Sequence, residues 1–147
     1  MGKTLYFIFV VAYAAALTGC DRDDGTDDVD AIPIIVDHAL YVTYKDLPQA
    51  DFSIDAGEIN GNILKLAVSY PDGCQDYQFK LIASTLMLYT SPPGAVLGLF
   101  RQEEQNNCIE ETSIILYFDL TPLQQLTNGA PIRIPLPGLE SPLYYHF

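Results

Sequence analysis

One stretch of the chain places large apolar side chains at every second position. Within residues 63–70 these side chains are Leu64, Leu66, Val68 and Tyr70. Successive side chains of a β-strand point to opposite faces, whereas a helix repeats every 3.6 residues. The stretch therefore predicts a strand with one face buried against a core, and it favours a β fold for the chain.

Shorter segments of the same kind occur on both sides of this strand. Further strands are predicted at residues 39–44, 95–101, 110–120 and 143–147. Residues 77–83 alternate as well, and the turn signal Pro71-Asp72-Gly73 separates them from the first strand. We therefore predict that residues 64–83 form a hairpin, and that Leu86 and Leu88 continue it or begin another strand.

Prolines limit the structure of two segments near the end of the sequence. Thr121 and Pro122 favour the start of a single helical turn through Gln125, because threonine can cap a helix and proline fits its first position. In residues 131–136 prolines recur among alternating apolar residues. Proline cannot donate to a strand ladder, so this segment is predicted to be an edge strand.

These segments together set the fold class. Six to eight short strands, with turn signals about every ten residues, predict an all-β fold of one domain. The expected architecture is a small two-sheet β-sandwich, immunoglobulin-like in size, with a small β-barrel as the alternative. The chain has no tryptophan, so the buried tryptophan of a true immunoglobulin domain is missing.

The N-terminal segment has the composition of a targeting signal. Lys3 precedes thirteen apolar residues at 5–17, and small residues and Cys20 follow. Thirteen residues span about 20 Å as a helix, less than the roughly 30 Å of a bilayer's hydrocarbon core, so a permanent membrane span is disfavoured. An ordinary secretory signal cleaved among the alanines is the alternative.

The four residues Leu17-Thr18-Gly19-Cys20 resemble the lipobox of bacterial lipoproteins. This resemblance implies cleavage after Gly19, a diacylglycerol on the sulfur of Cys20 and an acyl chain on its new amino group. The bilayer would then be the first partner, because several acyl chains anchor a protein far more firmly than one. The implied organisation is a signal peptide at 1–19, an acidic tether at 20–32 and one β domain at 33–147.

Aspartates dominate residues 21–30, a composition that stays extended and solvated as a tether. In lipoprotein families, acidic residues just after the acylated cysteine act as sorting signals. Asp21 resembles an inner-membrane retention signal, whereas an acidic cluster resembles a surface-export signal, and we favour the outer membrane or cell surface. A calcium loop is the competing interpretation, but Gly25 and Thr26 break the register of an EF-hand.

The formal net charge of −12, which becomes −13 without Lys3, excludes several partners. No excess of positive charge is present to neutralise nucleic-acid phosphates, so no nucleic acid is expected to bind. Electrostatic docking to anionic lipid is disfavoured for the same reason.

With Cys20 assigned to lipid, Cys74 and Cys108 remain as a pair. An exported protein folds in an oxidising compartment, so we predict a disulfide between them. A catalytic thiol is disfavoured, because the two histidines, His38 and His146, and the sequence around each cysteine match no catalytic motif.

A second resemblance covers about half of the mature chain. It rests on Gly73-Cys74 with Asp76 and Phe79-x-Leu81, followed by Cys108-x-Glu110 and Leu116-x-Phe118-Asp119-Leu120. This arrangement is similar to uncharacterised bacterial envelope lipoproteins. It implies a cysteine-bridged β domain and brings no established activity.

Few residues suggest chemistry. The disulfide would gather the carboxylates of Asp72, Asp76, Glu110 and Glu111, which could bind calcium but are expected to be solvated. Tyr144 and Tyr145 are neighbours, so at most one lies in the core and the other is free for a sugar ring or a partner.

The sequence therefore predicts a non-enzymatic binding or structural accessory module of the envelope. An envelope protein or a glycan is the expected partner, and no catalytic residue, cofactor or metal site is predicted. The alternatives are a glycan- or calcium-binding surface module and a hydrolase, which would need a cleft with one histidine or a close pair of carboxylates.

Overall fold

A computed structural model of the chain describes residues 30–71, 78–101 and 111–147. The elements of this described part are β1 (Ile32–Pro33), β2 (Ile35–Val36), α1 (His38–Asp46), β3 (Ser53–Asn60), β4 (Ile63–Pro71), β5 (Phe79–Leu88), β6 (Gly94–Arg101), β7 (Glu111–Asp119), a 3₁₀ helix (Thr121–Leu126), β8 (Ile132–Ile134) and β9 (Leu143–Tyr145).

The strands form two sheets around one hydrophobic core. The four-stranded sheet has the order β1-β7-β4-β3, and the five-stranded sheet has the order β2-β5-β6-β8-β9. Core side chains from both sheets, such as Leu64 and Phe118 from one and Ile132 and Tyr145 from the other, are completely buried. The predicted all-β fold of two sheets is confirmed, and the sheets do not close into the alternative barrel.

The strand with the clearest alternation is β4, and its predicted buried face is confirmed. Leu64, Leu66 and Val68 are fully buried, and Tyr70 is nearly so. β4 pairs with β3 along one edge and with β7 along the other, where the antiparallel register is unbroken. This central position explains why every second side chain of β4 contributes to the core.

The predicted hairpin of residues 64–83 is wrong. β4 and β5 belong to different sheets, because β3 and β7 occupy both edges of β4. The two strands instead face each other across the core, where the ring centroids of Tyr70 and Phe79 lie 5.6 Å apart. Alternation shows which face of a strand is buried, but two strands have the same pattern whether they pair or stack.

The first two strands are a single segment that passes from one sheet to the other. β1 pairs in parallel with β7, and β2 pairs in parallel with β5. Ile34 stands between them, is buried, and donates its amide to the carbonyl of Asp119 at 3.2 Å. The Asp37 amide then bonds to the Ala83 carbonyl at 2.8 Å, so this segment ties the two sheets together on one side.

The strand predicted at residues 39–44 is wrong, because these residues lie in α1. The Asp37 carboxylate accepts a hydrogen bond from the Leu40 amide at 2.9 Å and caps the helix N-terminus. Tyr41 and Tyr44 are three residues apart and therefore share one helical face. Both rings pack on Phe100, with centroid distances of 5.8 Å, so tertiary contacts override the β propensity of the segment.

The helix α1 adds a third layer to the outer face of the five-stranded sheet, where it packs on β5 and β6. Beneath it lie Ile82, which is fully buried, and Phe100, which is nearly so, and neither belongs to the main core. Lys80 crosses the end of the helix and donates to the Tyr44 hydroxyl at 2.7 Å. This layer gives the domain a second, smaller apolar cluster.

Two expectations for the last third of the chain need correction. The segment with the alternating prolines is not an edge, because β8 lies between β6 and β9. Pro131 and Pro135 flank the three-residue strand and do not lie within it. Their missing amide hydrogens therefore remove no hydrogen bond between β8 and its neighbours. The predicted helical turn exists as the 3₁₀ helix, but Thr121 is its first residue and not its cap. The N-cap position is Leu120, which makes no side-chain capping bond, and the Asp119 carboxylate accepts the Thr121 amide at 2.9 Å.

The lipobox, most of the tether and all three cysteines lie outside the described residues, as do Asp72, Asp76 and Glu110. The acylation of Cys20 and the disulfide between Cys74 and Cys108 therefore stay predictions. In the part of the chain that is described, no helix has both the length and the apolar character needed to cross a bilayer.

Candidate functional site

The outward side chains of β3, β4 and β7 form a surface that we call the open face. The register aligns them in three rows across the sheet, which are Ser53–Ser69–Ser113, Ala56–Ala67–Ile115 and Glu58–Lys65–Tyr117. Both described helices make their main contacts with the other sheet, namely with β2, β5 and β6. The open face is therefore accessible over its three rows.

The middle row forms an apolar depression of about 230 Å³. Ala56 and Ala67 form its floor, and Ile115, which is 48% exposed, stands at one side. Gly57 lies beside it with its α-carbon turned inward, because a Cβ there would come within 3.0 Å of a Leu66 methyl. Small side chains between longer ones leave room for one apolar group of a ligand.

The row on one side of the depression is an ion pair. Lys65 Nζ lies 2.9 Å from Glu58 Oε1, and both side chains are solvent-accessible. The hydrogen bond and charge of Glu58 raise the pKa of Lys65, so the ammonium group is charged over the physiological range. An exposed pair of this kind contributes little stability, and it presents both signs of charge to a ligand.

The row on the other side is a network of hydroxyl groups around one carboxylate. Asp55 accepts hydrogen bonds from Ser69 Oγ at 2.5 Å and from Ser53 Oγ at 2.9 Å, and Ser69 Oγ lies 2.8 Å from Ser113 Oγ. The hydroxyl of Ser69, and then that of Ser53, lowers the pKa of Asp55 by stabilising the carboxylate. The network is exposed and offers donors and acceptors in fixed positions.

A second depression, of about 390 Å³, begins at the serine row and is more polar. Asp51, Ser69 and Glu111 line it together with Tyr70. Arg101 lies beneath, with its guanidinium 4.5 Å from the centroid of the Tyr70 ring and donating to the Asp51 carbonyl at 2.9 Å. Of the four carboxylates that the predicted disulfide would gather, Glu111 is the one that the structure describes, and it lines this depression.

Of the two histidines, His38 lies beside a serine hydroxyl. His38 Nδ1 lies 2.8 Å from Ser84 Oγ, but that hydroxyl is 1% exposed and accepts the Leu86 amide at 2.9 Å. A nucleophilic serine must reach a substrate carbonyl, and this one is sealed under the helix. Ser84 instead supports the irregularity in β5 between Ala83 and Met87. His146 is exposed near the end of the chain.

Of the neighbouring tyrosines, one is buried and the other is exposed, as predicted. Tyr145 is fully buried, and its hydroxyl donates to Asn62 Oδ1 at 2.8 Å. Tyr144 is 51% exposed on β9, the edge of the five-stranded sheet, opposite Arg133. It lies on the five-stranded sheet, whereas the open face belongs to the four-stranded sheet.

β3 was not predicted from the sequence, and with it Asp55, Glu58 and the edge of the open face were missed. The available signal was the Gly61-Asn62 loop, since a glycine in the first position of a two-residue loop is typical of a β-hairpin. Gly61 has a φ of 56° and joins Asn60 to Ile63. In the described ranges, no group of three or more His, Cys, Asp or Glu side chains is placed to hold a metal ion.

No family model matches the sequence, and no curated protein matches it significantly. Among solved structures, the chain is similar to a protein of unknown function, DUF1344, from Bacteroides vulgatus ATCC 8482, with 13% identity and a TM-score of 0.50 over 80% of this chain and 56% of that one. It is also similar to a putative toxin related protein from Parabacteroides distasonis ATCC 8503, with 12% identity and a TM-score of 0.49 over 80% and 59%. The chain thus spans less than two thirds of either solved chain, and the first likeness concerns the fold alone.

Proposed function

We propose that the chain is a lipid-anchored protein of the bacterial envelope, and that its β-sandwich is a non-enzymatic binding module. The lipobox at Leu17-Thr18-Gly19-Cys20 supports the anchor, and the aspartate-rich segment after it supports a solvated tether. The outer membrane or cell surface is the favoured location. In this proposal the anchor brings the domain to the membrane and the open face holds its partner.

The apolar depression between two polar rows is the observation that carries the binding role. The exposed Ile115 beside Ala56 and Ala67 provides a small apolar centre. The ion pair of Glu58 and Lys65 lies on one side of this centre, and the row of serines lies on the other. Protein interfaces commonly combine a buried apolar anchor with a polar rim. The partner is therefore a protein surface that inserts one apolar side chain and bonds to both rows.

A bridge between Cys74 and Cys108 belongs to the same proposal. Pro71 and Glu111 are direct partners in one sheet, and Phe79 and Arg101 are direct partners in the other. These four residues are strand ends at the same end of the sandwich, because the rings of Tyr70 and Phe79 lie 5.6 Å apart across the core. In the sequence Cys74 lies between Pro71 and Phe79, and Cys108 lies between Arg101 and Glu111, so this arrangement of described strand ends supports a disulfide between them.

A glycan is the second candidate ligand, and the polar depression favours it. Glu111, two residues of the serine row, Ser53 and Ser69, and Tyr70 all line this one concavity. Sugars bind through hydroxyl hydrogen bonds and through contact with aromatic rings. Oligosaccharides that shift the NMR signals of Ser69 and Glu111, but not those of Ile115, would favour the glycan over the protein partner.

The anchor is tested by the intact mass of the protein extracted from membranes of its own host. A mass that fits Cys20 at the N-terminus with acyl chains, and a gain of two hydrogens on reduction, would support both the anchor and the disulfide. The Cys20→Ser variant is the control and should be recovered without acyl chains. A soluble wild-type protein without acyl chains would overturn the lipoprotein proposal.

The open face is tested by photocrosslinking in living cells. A photoreactive amino acid at Ile115 should give one defined adduct, and the additional substitution Ala67→Arg should suppress it by filling the depression. Val42 is the matched control, because it is a similarly exposed aliphatic residue, at 40%, on α1. Equal adducts from both positions, or an adduct that Ala67→Arg leaves unchanged, would contradict the assignment of this face.

A further inference from the structure

The end of the β5–β6 hairpin, residues 86–93, exposes an unusual set of apolar side chains; we call it the hairpin tip. Tyr89 is fully exposed, Leu86 is 57% exposed and Leu88 is 41% exposed. Exposed apolar residues are common singly, but three within four positions of one hairpin form a patch. These side chains contribute little to the core, so the fold does not explain their presence.

The charge pattern around the tip separates it from the rest of the molecule. The twenty residues from 81 to 100, between Lys80 and Arg101, contain no Asp, Glu, Lys, Arg or His. The whole chain is 18% charged with a net charge of −12. An uncharged hairpin in an acidic protein matches an uncharged apolar partner better than a charged one.

Hydrogen bonds hold the tip in one shape. The Thr90 amide donates to the Leu88 carbonyl at 2.9 Å, and the Thr90 hydroxyl donates to the Pro92 carbonyl at 2.7 Å. The Arg133 amide donates to the Pro93 carbonyl at 2.9 Å and fixes the turn to β8. A surface that is ordered before binding loses less entropy when it binds.

We propose that the hairpin tip inserts shallowly into the interfacial region of a lipid bilayer. Tyrosine and leucine are well suited to this depth, because the apolar bodies enter the acyl boundary while the tyrosine hydroxyl stays at the headgroups. Neutral or zwitterionic lipid is the preferred surface, since the acidic domain is repelled by anionic lipid. The proposal rests on the proposed anchor only for the high local concentration of bilayer that the anchor provides.

This contact orients the domain. Tyr89 follows the last residue of β5, whereas Phe79, the first residue, lies against Tyr70 beside the polar depression. A ten-residue strand separates these two ends by roughly 30 Å. With the tip at the bilayer, the serine row and the polar depression point away from the membrane toward a partner in solution.

Tryptophan fluorescence tests the proposal directly, because the chain has no tryptophan. In the full protein extracted from membranes, Tyr89→Trp supplies the sole tryptophan at the tip. Val42→Trp supplies it at an exposed control position on α1, beside the tyrosines that pack on Phe100 near the opposite end of β6. With phosphatidylcholine vesicles we expect a blue shift and quenching by lipids brominated near the headgroup for Tyr89→Trp, and an unchanged spectrum for Val42→Trp. Leu86→Ser and Leu88→Ser should each weaken vesicle binding by about tenfold in the unacylated Cys20→Ser background.

The two proposals are tested separately. The intact mass of the protein reports whether Cys20 is acylated, and the tryptophan fluorescence spectrum reports whether the hairpin tip enters the bilayer. A Tyr89→Trp spectrum that stays typical of water on vesicles overturns the proposal, whether or not Cys20 is acylated. A blue shift that appears without lipid and rises with protein concentration also overturns it, because the tip then binds a second copy of the chain. Thermal unfolding of each variant checks that the fold is retained.

Discussion

Gly98 lies directly beneath the ring of Phe100 on the outer face of β6. A Cβ at Gly98 would come within 2.8 Å of Phe100 Cζ, closer than side-chain atoms pack. The ring is held there by Tyr41 and Tyr44 of α1, whose centroids are both 5.8 Å from that of Phe100. The missing side chain of one strand residue therefore makes the space in which the helix docks.

We expect Gly98→Ala to lower the free energy of unfolding by about 1–3 kcal/mol, because the added methyl group displaces the Phe100 ring. Urea denaturation measures the change. On a Phe100→Leu background the same substitution should cost much less, since the atom that clashes is gone. Equal costs on the two backgrounds would show that the ring does not occupy the space above Gly98.

The buried hydroxyl of Ser84 is expected to be structural. It accepts the Leu86 amide and lies 2.8 Å from His38 Nδ1, so Ser84→Ala leaves a partly buried amide without its acceptor. We expect a loss of about 1–3 kcal/mol of unfolding free energy by thermal or urea denaturation. Ser113→Ala, on the open face, should change stability by less than about 0.5 kcal/mol. Ester hydrolysis that depends on Ser84 would contradict the structural assignment.

The hydroxyl of Tyr145 joins the last strand to the β3–β4 hairpin. It donates to Asn62 Oδ1 at 2.8 Å from a fully buried ring. Tyr145→Phe keeps the ring and removes the bond, so it should cost about 1 kcal/mol of unfolding free energy. Tyr144→Phe is the matched control because its ring is half-exposed, and it should have almost no effect. Equal effects of the two substitutions would argue against a role for the Asn62 bond.

The strands found correctly from sequence are those whose burial follows a simple pattern. In β4 every second side chain enters the core, and β7 was recognised from its β-branched and aromatic centre. The pairing of strands was not predictable, because the alternation in β4 and β5 is the same for stacked as for paired strands. The hairpin of residues 64–83 failed for this reason.

The helix and the open face were missed for different physical reasons. Residues 39–44 are rich in β-formers, and only the cap from Asp37 and the contacts with Phe100 make them helical. β3 has a register shift between Ile54 and Ala56. This irregularity interrupts the alternation of inward and outward side chains by which a strand is recognised in a sequence. The network of Asp55 joins residues from three strands, so no local sequence motif could have revealed it.

Reduction is expected to destabilise the domain if Cys74 and Cys108 are bridged. A loop of about 35 residues closed by a disulfide contributes roughly 4 kcal/mol by restricting the unfolded chain. Denaturation with and without reductant measures this difference, and Cys74→Ser should reproduce the reduced value. Cys20→Ser should leave the difference intact. Equal stability with and without reductant would contradict a disulfide that supports the fold.

The carboxylate of Asp55 provides a pH-dependent test of the serine row. Hydrogen bonds from Ser69 and Ser53 lower the pKa of Asp55 below its ordinary value of 3.8. The stability that these bonds contribute is therefore present above about pH 3.8, and it is lost as the pH falls through the lower pKa of the folded state. In an NMR titration, Ser69→Ala should raise the pKa of Asp55 more than Ser53→Ala does, because the bond to Ser69 is the larger cause. Ser113→Ala is the control, since Ser113 contacts Ser69 and not the carboxylate, and it should shift the pKa less than either. A pKa of Asp55 that all three substitutions leave unchanged would show that the network does not form in solution.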